Sequence, residues 1–161
     1  MRKIIWEELL WAERFIEECA FLAKNATCTR SKCWAIIVSW KDIIWRWFNS
    51  PAAWKESQRR CSNDKKEYNS KITDKTCCVH AEQRAIIDTI NKNPEKIKWS
   101  MLYFVRLDDN WKPKPSWKPY CTICSKMALD VWLKEFVLLH EDWIFAYETW
   151  EYNNLSYKYE D

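Results

Sequence analysis

Cys78-Val79-His80-Ala81-Glu82-Gln83-Arg84-Ala85-Ile86-Ile87 is the stretch where a long polar run turns into a helix. Ala81, Ala85, Ile86, Ile87 and Ile90 follow helical spacing, and residues 91–94, with Pro94, end it. On the N-terminal side, Ala35-Ile36-Ile37-Val38 and the run from Ile43-Ile44 to Phe48 are short and rich in β-branched residues. They predict two strands joined by a tight turn at 39–42. Before them, Ile4, Ile5, Leu9, Ala12, Phe15, Ile16, Cys19, Ala20 and Ala23 predict an amphipathic helix over residues 3–24. On the C-terminal side, 101–107 predicts a third strand and 121–131 a third helix. Residues 136–139 and 144–147 predict a fourth and a fifth strand. Helices alternating with strands indicate an α/β layered fold in a single domain. Only residues 140–143 separate the last two strands, too few for a parallel crossover, so they are expected to pair antiparallel in a mixed five-stranded sheet.

Two helix starts carry residues suited to metal chemistry. His80-Ala81-Glu82 begins one, and Pro119-Tyr120-Cys121-Thr122-Ile123-Cys124 begins the other. Zinc takes imidazole nitrogen and thiolate sulfur, and a Cys-x-x-Cys at a helix start aims both sulfurs at one point. The helix N-terminus also favours thiolate over thiol. His80, Cys121 and Cys124 make three protein ligands, leaving a position open for water, as in a catalytic site. Glu82, two residues after the histidine, is placed to move protons between that water and a substrate.

The pattern H-x-E followed by P-C-x-x-C is the zinc deaminase signature. From about Ala20 to Tyr147 the chain resembles the cytidine/deoxycytidylate deaminase superfamily. Cys28-Thr29-Arg30-Ser31-Lys32-Cys33 is similar to the segment that precedes the first strand in deoxycytidylate-type deaminases, and Phe48-Asn49-Ser50 resembles the family's aromatic-Asn segment. The resemblance implies a three-layer α/β/α fold, a Zn2+ cofactor and hydrolysis of a cytosine nucleoside or nucleotide to the uracil product and ammonia. It implies Glu82 as proton shuttle, Asn49 as a ribose or base contact, the backbone at Ala81 as a pyrimidine contact, and a homo-oligomer. The chain departs from the family where Tyr120 separates Pro119 from Cys121. The short link at 140–143 resembles the free-cytidine branch, whereas the insertion at 49–76 looks more like the deoxycytidylate branch, so the substrate stays open. Two alternatives stand beside this reading. One is a deaminase of another base, or of a base within nucleic acid; the other is a non-catalytic zinc module for interaction. The net charge of +3 gives no electrostatic argument for nucleic acid.

The chain has eight cysteines. Glutamates at 7, 8 and 13 interrupt the N-terminal apolar run, so no secretion signal is read. No stretch approaches a membrane span, and a soluble, cytoplasmic protein is expected. Free thiols and metal ligands are then favoured over disulfides. Cys61, Cys77 and Cys78 are buried thiols or ligands of a second metal, which Cys28 or Cys33 would complete; Cys78 as a fourth ligand beside His80 would close the first site. The polar segment 49–76 reads as a long loop, with Arg59, Arg60, Lys65 and Lys66 as a solvated charged face or, less favoured, a phosphate contact. Residues 108–120 read as a second loop, and the polar tail from about 148 as partly ordered.

One compositional feature stands apart: no glycine and 13 tryptophans in 161 residues. At an average glycine usage of about 7%, a glycine-free chain of this length arises on the order of once in 100,000. Trp111 follows Asn110 and Trp143 follows Asp142, where Asn-Gly and Asp-Gly turns are expected. Trp132 lies where a helix-terminating glycine is expected, and Trp40 where a hairpin must turn. Most of these tryptophans are therefore expected to be glycine in the natural protein, through a codon that specifies glycine there.

Overall fold

The computed structural model describes residues 1–115 and 118–159. Residues 116–117 and 160–161, part of the predicted loop and tail, lie outside the described residues. The order is β1 (Arg2–Lys3), α1 (Trp6–Ala23), β2 (Lys32–Ser39), β3 (Asp42–Phe48), α2 (Ala81–Lys92), α3 (Pro94–Ile97), β4 (Met101–Leu107), β5 (Pro113–Lys114), α4 (Thr122–Asp130), β6 (Glu135–Leu139), β7 (Ile144–Glu148) and α5 (Thr149–Ser156).

The sheet order is β1-β7-β6-β4-β2-β3, with β5 beside β4. β4 and β6 run parallel; β6 and β7 pair antiparallel, as the four-residue link requires. The five expected strands are all present. Among the described residues the sheet has seven because β1 and β5, two residues each, add to β7 and β4. Segments that short carry no periodicity for a sequence to display.

Alternation along β2 divides the core. Trp34, Ile36 and Val38 face α1 with Phe15, Ile16 and Cys19, while Cys33, Ala35 and Ile37 face the other layer with Ala81, Ala85, Ile86 and Ala128. Both helices that carry the metal-type residues thus pack on one face of the sheet. The polar tail carries a helix that the sequence pattern does not announce. Residues 149–156 form α5, which stacks Tyr152 on Phe136 at 4.1 Å and joins Asn153 to Ser125 through a 2.9 Å hydrogen bond. A two-turn helix with few apolar residues leaves only a faint pattern, and its order comes from this tertiary packing.

The left-handed backbone region contains Trp6, Trp40, Trp54, Trp99, Trp111 and Trp132, with φ between 57° and 65°. Residues with a Cβ pay roughly 1–2 kcal/mol there, and glycine does not. Trp132 sits in a Schellman motif: Leu133 N–H bonds the Ala128 carbonyl and Trp132 N–H the Leu129 carbonyl, each at 3.0 Å. Trp40 begins the two-residue turn between Ser39 and Asp42. The buried indole N–H groups of Trp34, Trp45 and Trp47 have no partner among the described residues, an additional cost of about 1–3 kcal/mol each. Trp143 does not follow its expectation. Its φ is not positive, and its indole donates to the Ile4 carbonyl.

Candidate active site

His80 caps the start of α2, and its backbone N–H is held by the Gln83 side chain at 2.9 Å. The approach to it is fixed by an antiparallel bridge between Ser50 and Val79, and by Arg84 donating to the Pro51 carbonyl at 2.6 Å. Cys121 caps α4 and accepts the Cys124 backbone N–H at 3.4 Å. His80 Nδ1 lies 3.3 Å from each of the Cys121 and Cys124 sulfurs, which are 3.0 Å apart. The three residues expected as ligands, with the cysteines 41 and 44 positions beyond the histidine, therefore converge on one point.

The electrostatics suit a metal. Cys121 is drawn down to about 5 by hydrogen bonding from Cys124 and then by His80. His80 is pushed up to about 10, chiefly by its bond to Cys121. A sulfur held as thiolate is the form a metal binds. One imidazole and two cysteines are a zinc-type donor set, and three ligands leave the fourth tetrahedral position free. The residues present fit zinc.

Glu82 lies one residue into α2 and is 6% exposed. Burial pushes its carboxyl above the usual range, the neighbouring His80 opposes that, and Cys121 adds to it. No salt bridge reaches this carboxylate among the described residues. A buried acid without a structural ion pair, set against metal-type ligands, is equipped to exchange protons.

The fold is that of the cytidine and deoxycytidylate deaminases. A dCMP deaminase from the cyanophage S-TIM5, solved in complex with dCMP and dUMP, superposes with a TM-score of 0.56 at 19% identity, over 82% of this chain and 81% of that one. Its apo form gives 0.52 at 20% identity, over 82% of each chain. A cytidine deaminase from Burkholderia pseudomallei gives 0.55 at 14% identity, covering 87% of this chain and 94% of that one. No family model matches the chain, and no curated protein matches it by sequence.

The other expected site residues fall in distinct places. Ala81 is fully buried, packed in the core layer beneath α2 between His80 and Glu82. Asn49, 5% exposed, accepts the Cys33 N–H at 3.0 Å through Oδ1 and donates to the Ser31 carbonyl at 2.9 Å through Nδ2, bracing the strand ends beside the site. Tyr120 is 57% exposed and rests on Tyr159, while Pro119 stays buried. The extra residue is thus absorbed outward. Cys77 is exposed. Cys78 turns away from His80 and joins Cys28 and Cys61. Arg59 and Arg60 are engaged by loop groups, Arg59 with Glu56 and the Thr27 carbonyl, Arg60 with the Ser57 and Arg59 carbonyls. Sequence pattern gives no role to Tyr152, 4% exposed, whose hydroxyl meets the Tyr120 backbone and ties α5 to the start of α4. In the sequence nothing separates it from Trp150, Tyr157 and Tyr159 of the same polar segment.

Proposed function

We propose that this chain is a zinc-dependent hydrolytic deaminase that converts a cytosine nucleoside or nucleotide to its uracil product and ammonia. The observation that carries this reading is Glu82, buried against the ligand set of His80, Cys121 and Cys124. A purely structural metal site has no use for such an acid, which disfavours the interaction-module reading. Zinc held by these three residues would supply the Lewis acidity that lowers the pKa of water. Glu82 takes a proton from the attacking water, passes it to the ring nitrogen, and delivers a proton to the departing amine at C4. Its buried position excludes bulk water from that transfer. The backbone at Ala81 faces the pyrimidine. Asn49 holds the wall on the ribose side, with one Oδ1 lone pair left for substrate.

The fold shared with a dCMP deaminase supports a nucleotide substrate, and that shared with a cytidine deaminase supports a nucleoside. Glu82→Ala tests the role of the acid. The expected result is zinc content equal to wild type and kcat lower by about 10²–10⁴, the usual contribution of a general acid–base group. A zinc-loaded Glu82→Ala protein turning over at the wild-type rate would remove Glu82 from the mechanism.

A further inference from the structure

The helix α4 holds its two cysteines unequally. Cys124 lies inside the first turn, where helical geometry sets the direction of its side chain. Cys121 stands at the N-cap, with φ −88° and ψ 99°. Its carbonyl enters the helical ladder, accepting from the Ser125 N–H at 3.1 Å, but its own backbone angles are outside the helical range. Of the residues between β5 and Cys121, those described, 115 and 118–120, form no helix or strand. The direction of the Cys121 sulfur therefore depends on what holds the chain just upstream of it.

That hold comes from α5. The Tyr152 ring stacks on Phe136 at 4.1 Å and meets Tyr147 edge-on at 6.2 Å, and its hydroxyl reaches the backbone of Tyr120, the residue before Cys121. The next residue, Asn153, accepts through Oδ1 from Ser125 Oγ at 2.9 Å, and Ser125 is the residue after Cys124. Two successive residues of one helix thus bracket the cysteine pair from both sides. The helix is itself anchored. Thr149 Oγ1 donates to the Leu133 carbonyl at 2.7 Å and Thr149 N–H to the Lys134 carbonyl at 3.0 Å, both in the link between α4 and β6. A helix that only covered the sheet would be served by phenylalanine at position 152, because a buried hydroxyl costs free energy unless it is bonded. Here the hydroxyl is spent on the approach to a ligand.

We propose that Tyr152 and Asn153 are positioning residues for the metal site, an inference that rests on the zinc reading of His80, Cys121 and Cys124. They hold Tyr120 and Ser125, and through them aim the Cys121 and Cys124 sulfurs at the point that His80 Nδ1 faces, 3.3 Å from each. Partners behind metal ligands orient them, and removing one weakens metal binding by about 10–100-fold. The C-terminal helix is then part of the site, although it supplies no ligand to it.

The test is cobalt titration of the full chain, read on the absorption bands that Cys121→Ser abolishes, so that this site alone is counted. Tyr152→Phe keeps the ring and removes the hydroxyl. It is expected to weaken cobalt binding by about 10–100-fold. Tyr147→Phe removes the hydroxyl of the neighbouring tyrosine, which meets His140 Nε2 at 2.9 Å, and should bind cobalt as wild type does. The two variants share the loss of a tyrosine hydrogen bond, so the difference between them separates positioning from stability. Asn153→Leu, without the acceptor, should also weaken binding, and Asn153→Asp, which keeps an acceptor, should restore it; this pair decides alone if Tyr152→Phe does not fold. Wild-type affinity in Tyr152→Phe and Asn153→Leu overturns the proposal, as does an equal loss in Tyr147→Phe and Tyr152→Phe. Deamination is read separately. The expected shifts in a chain that releases no ammonia uphold the positioning role and remove only the deaminase reading, whereas a wild type without these cobalt bands overturns both.

Discussion

The two cysteine clusters differ in what holds them and in what stands beside them. His80, Cys121 and Cys124 are fixed by two helix starts packed on the sheet, and the neighbour of that set is an acid, Glu82. Cys28, Cys61 and Cys78 come from irregular chain, and their neighbours are donors, Thr29 and Arg59. An acid beside a ligand set with a free position serves proton transfer. Donors aimed at sulfur only hold the thiols in place. On the proposed reading the acid equips the first cluster for reactivity, while the donors around the second hold its sulfurs in place, and the surrounding groups tell the two apart.

The largest expected effect contrasts the clusters directly. Cys121→Ser should lower kcat/KM by on the order of 10³-fold or more, since loss of a catalytic metal forfeits several kcal/mol of barrier lowering. Cys61→Ser should change kcat/KM by about tenfold or less, about 1.4 kcal/mol, because it loosens the strap into His80 without touching the reacting groups. Equal losses in the two variants would erase the distinction. A smaller effect lies outside both clusters. Trp132→Gly should raise stability by roughly 1 kcal/mol by relieving its left-handed backbone, read as a higher urea midpoint. Trp143→Gly, which relieves no such strain and removes the indole bond to the Ile4 carbonyl, should not. A loss of stability in Trp132→Gly would contradict the reading of that position as a glycine site. The intact mass of protein from its native source would decide how many of the tryptophans are glycine there.

Much of this was legible in the sequence, for identifiable reasons. The five main strands and the helices α1, α2 and α4 announce themselves through periodicity, and the ligand set through His80-Ala81-Glu82 and Cys121-x-x-Cys124. The antiparallel last pair followed from loop length alone. The rest depends on tertiary contacts that one-dimensional pattern does not carry. β1 and β5 are too short to alternate. α5 gains its order from Phe136 and Ser125. Whether Cys78 sided with His80 or with Cys61 was undecidable from spacing, because a strand-like bridge at Val79 sets its direction. Cys77 drops out of the second cluster for the same reason: neighbours in extended chain point to opposite sides. Cys28, far upstream in the turn after α1, takes its place.

Deamination itself is tested by ammonia release from the zinc-loaded chain, folded by circular dichroism, against cytidine, deoxycytidine, their monophosphates, and adenine and guanine analogues. The expected result is ammonia in step with the uracil product for at least one cytosine substrate, and none from the purines. A folded, zinc-loaded chain that releases ammonia from no cytosine compound would contradict the assignment of His80, Glu82, Cys121 and Cys124 to a cytosine deaminase.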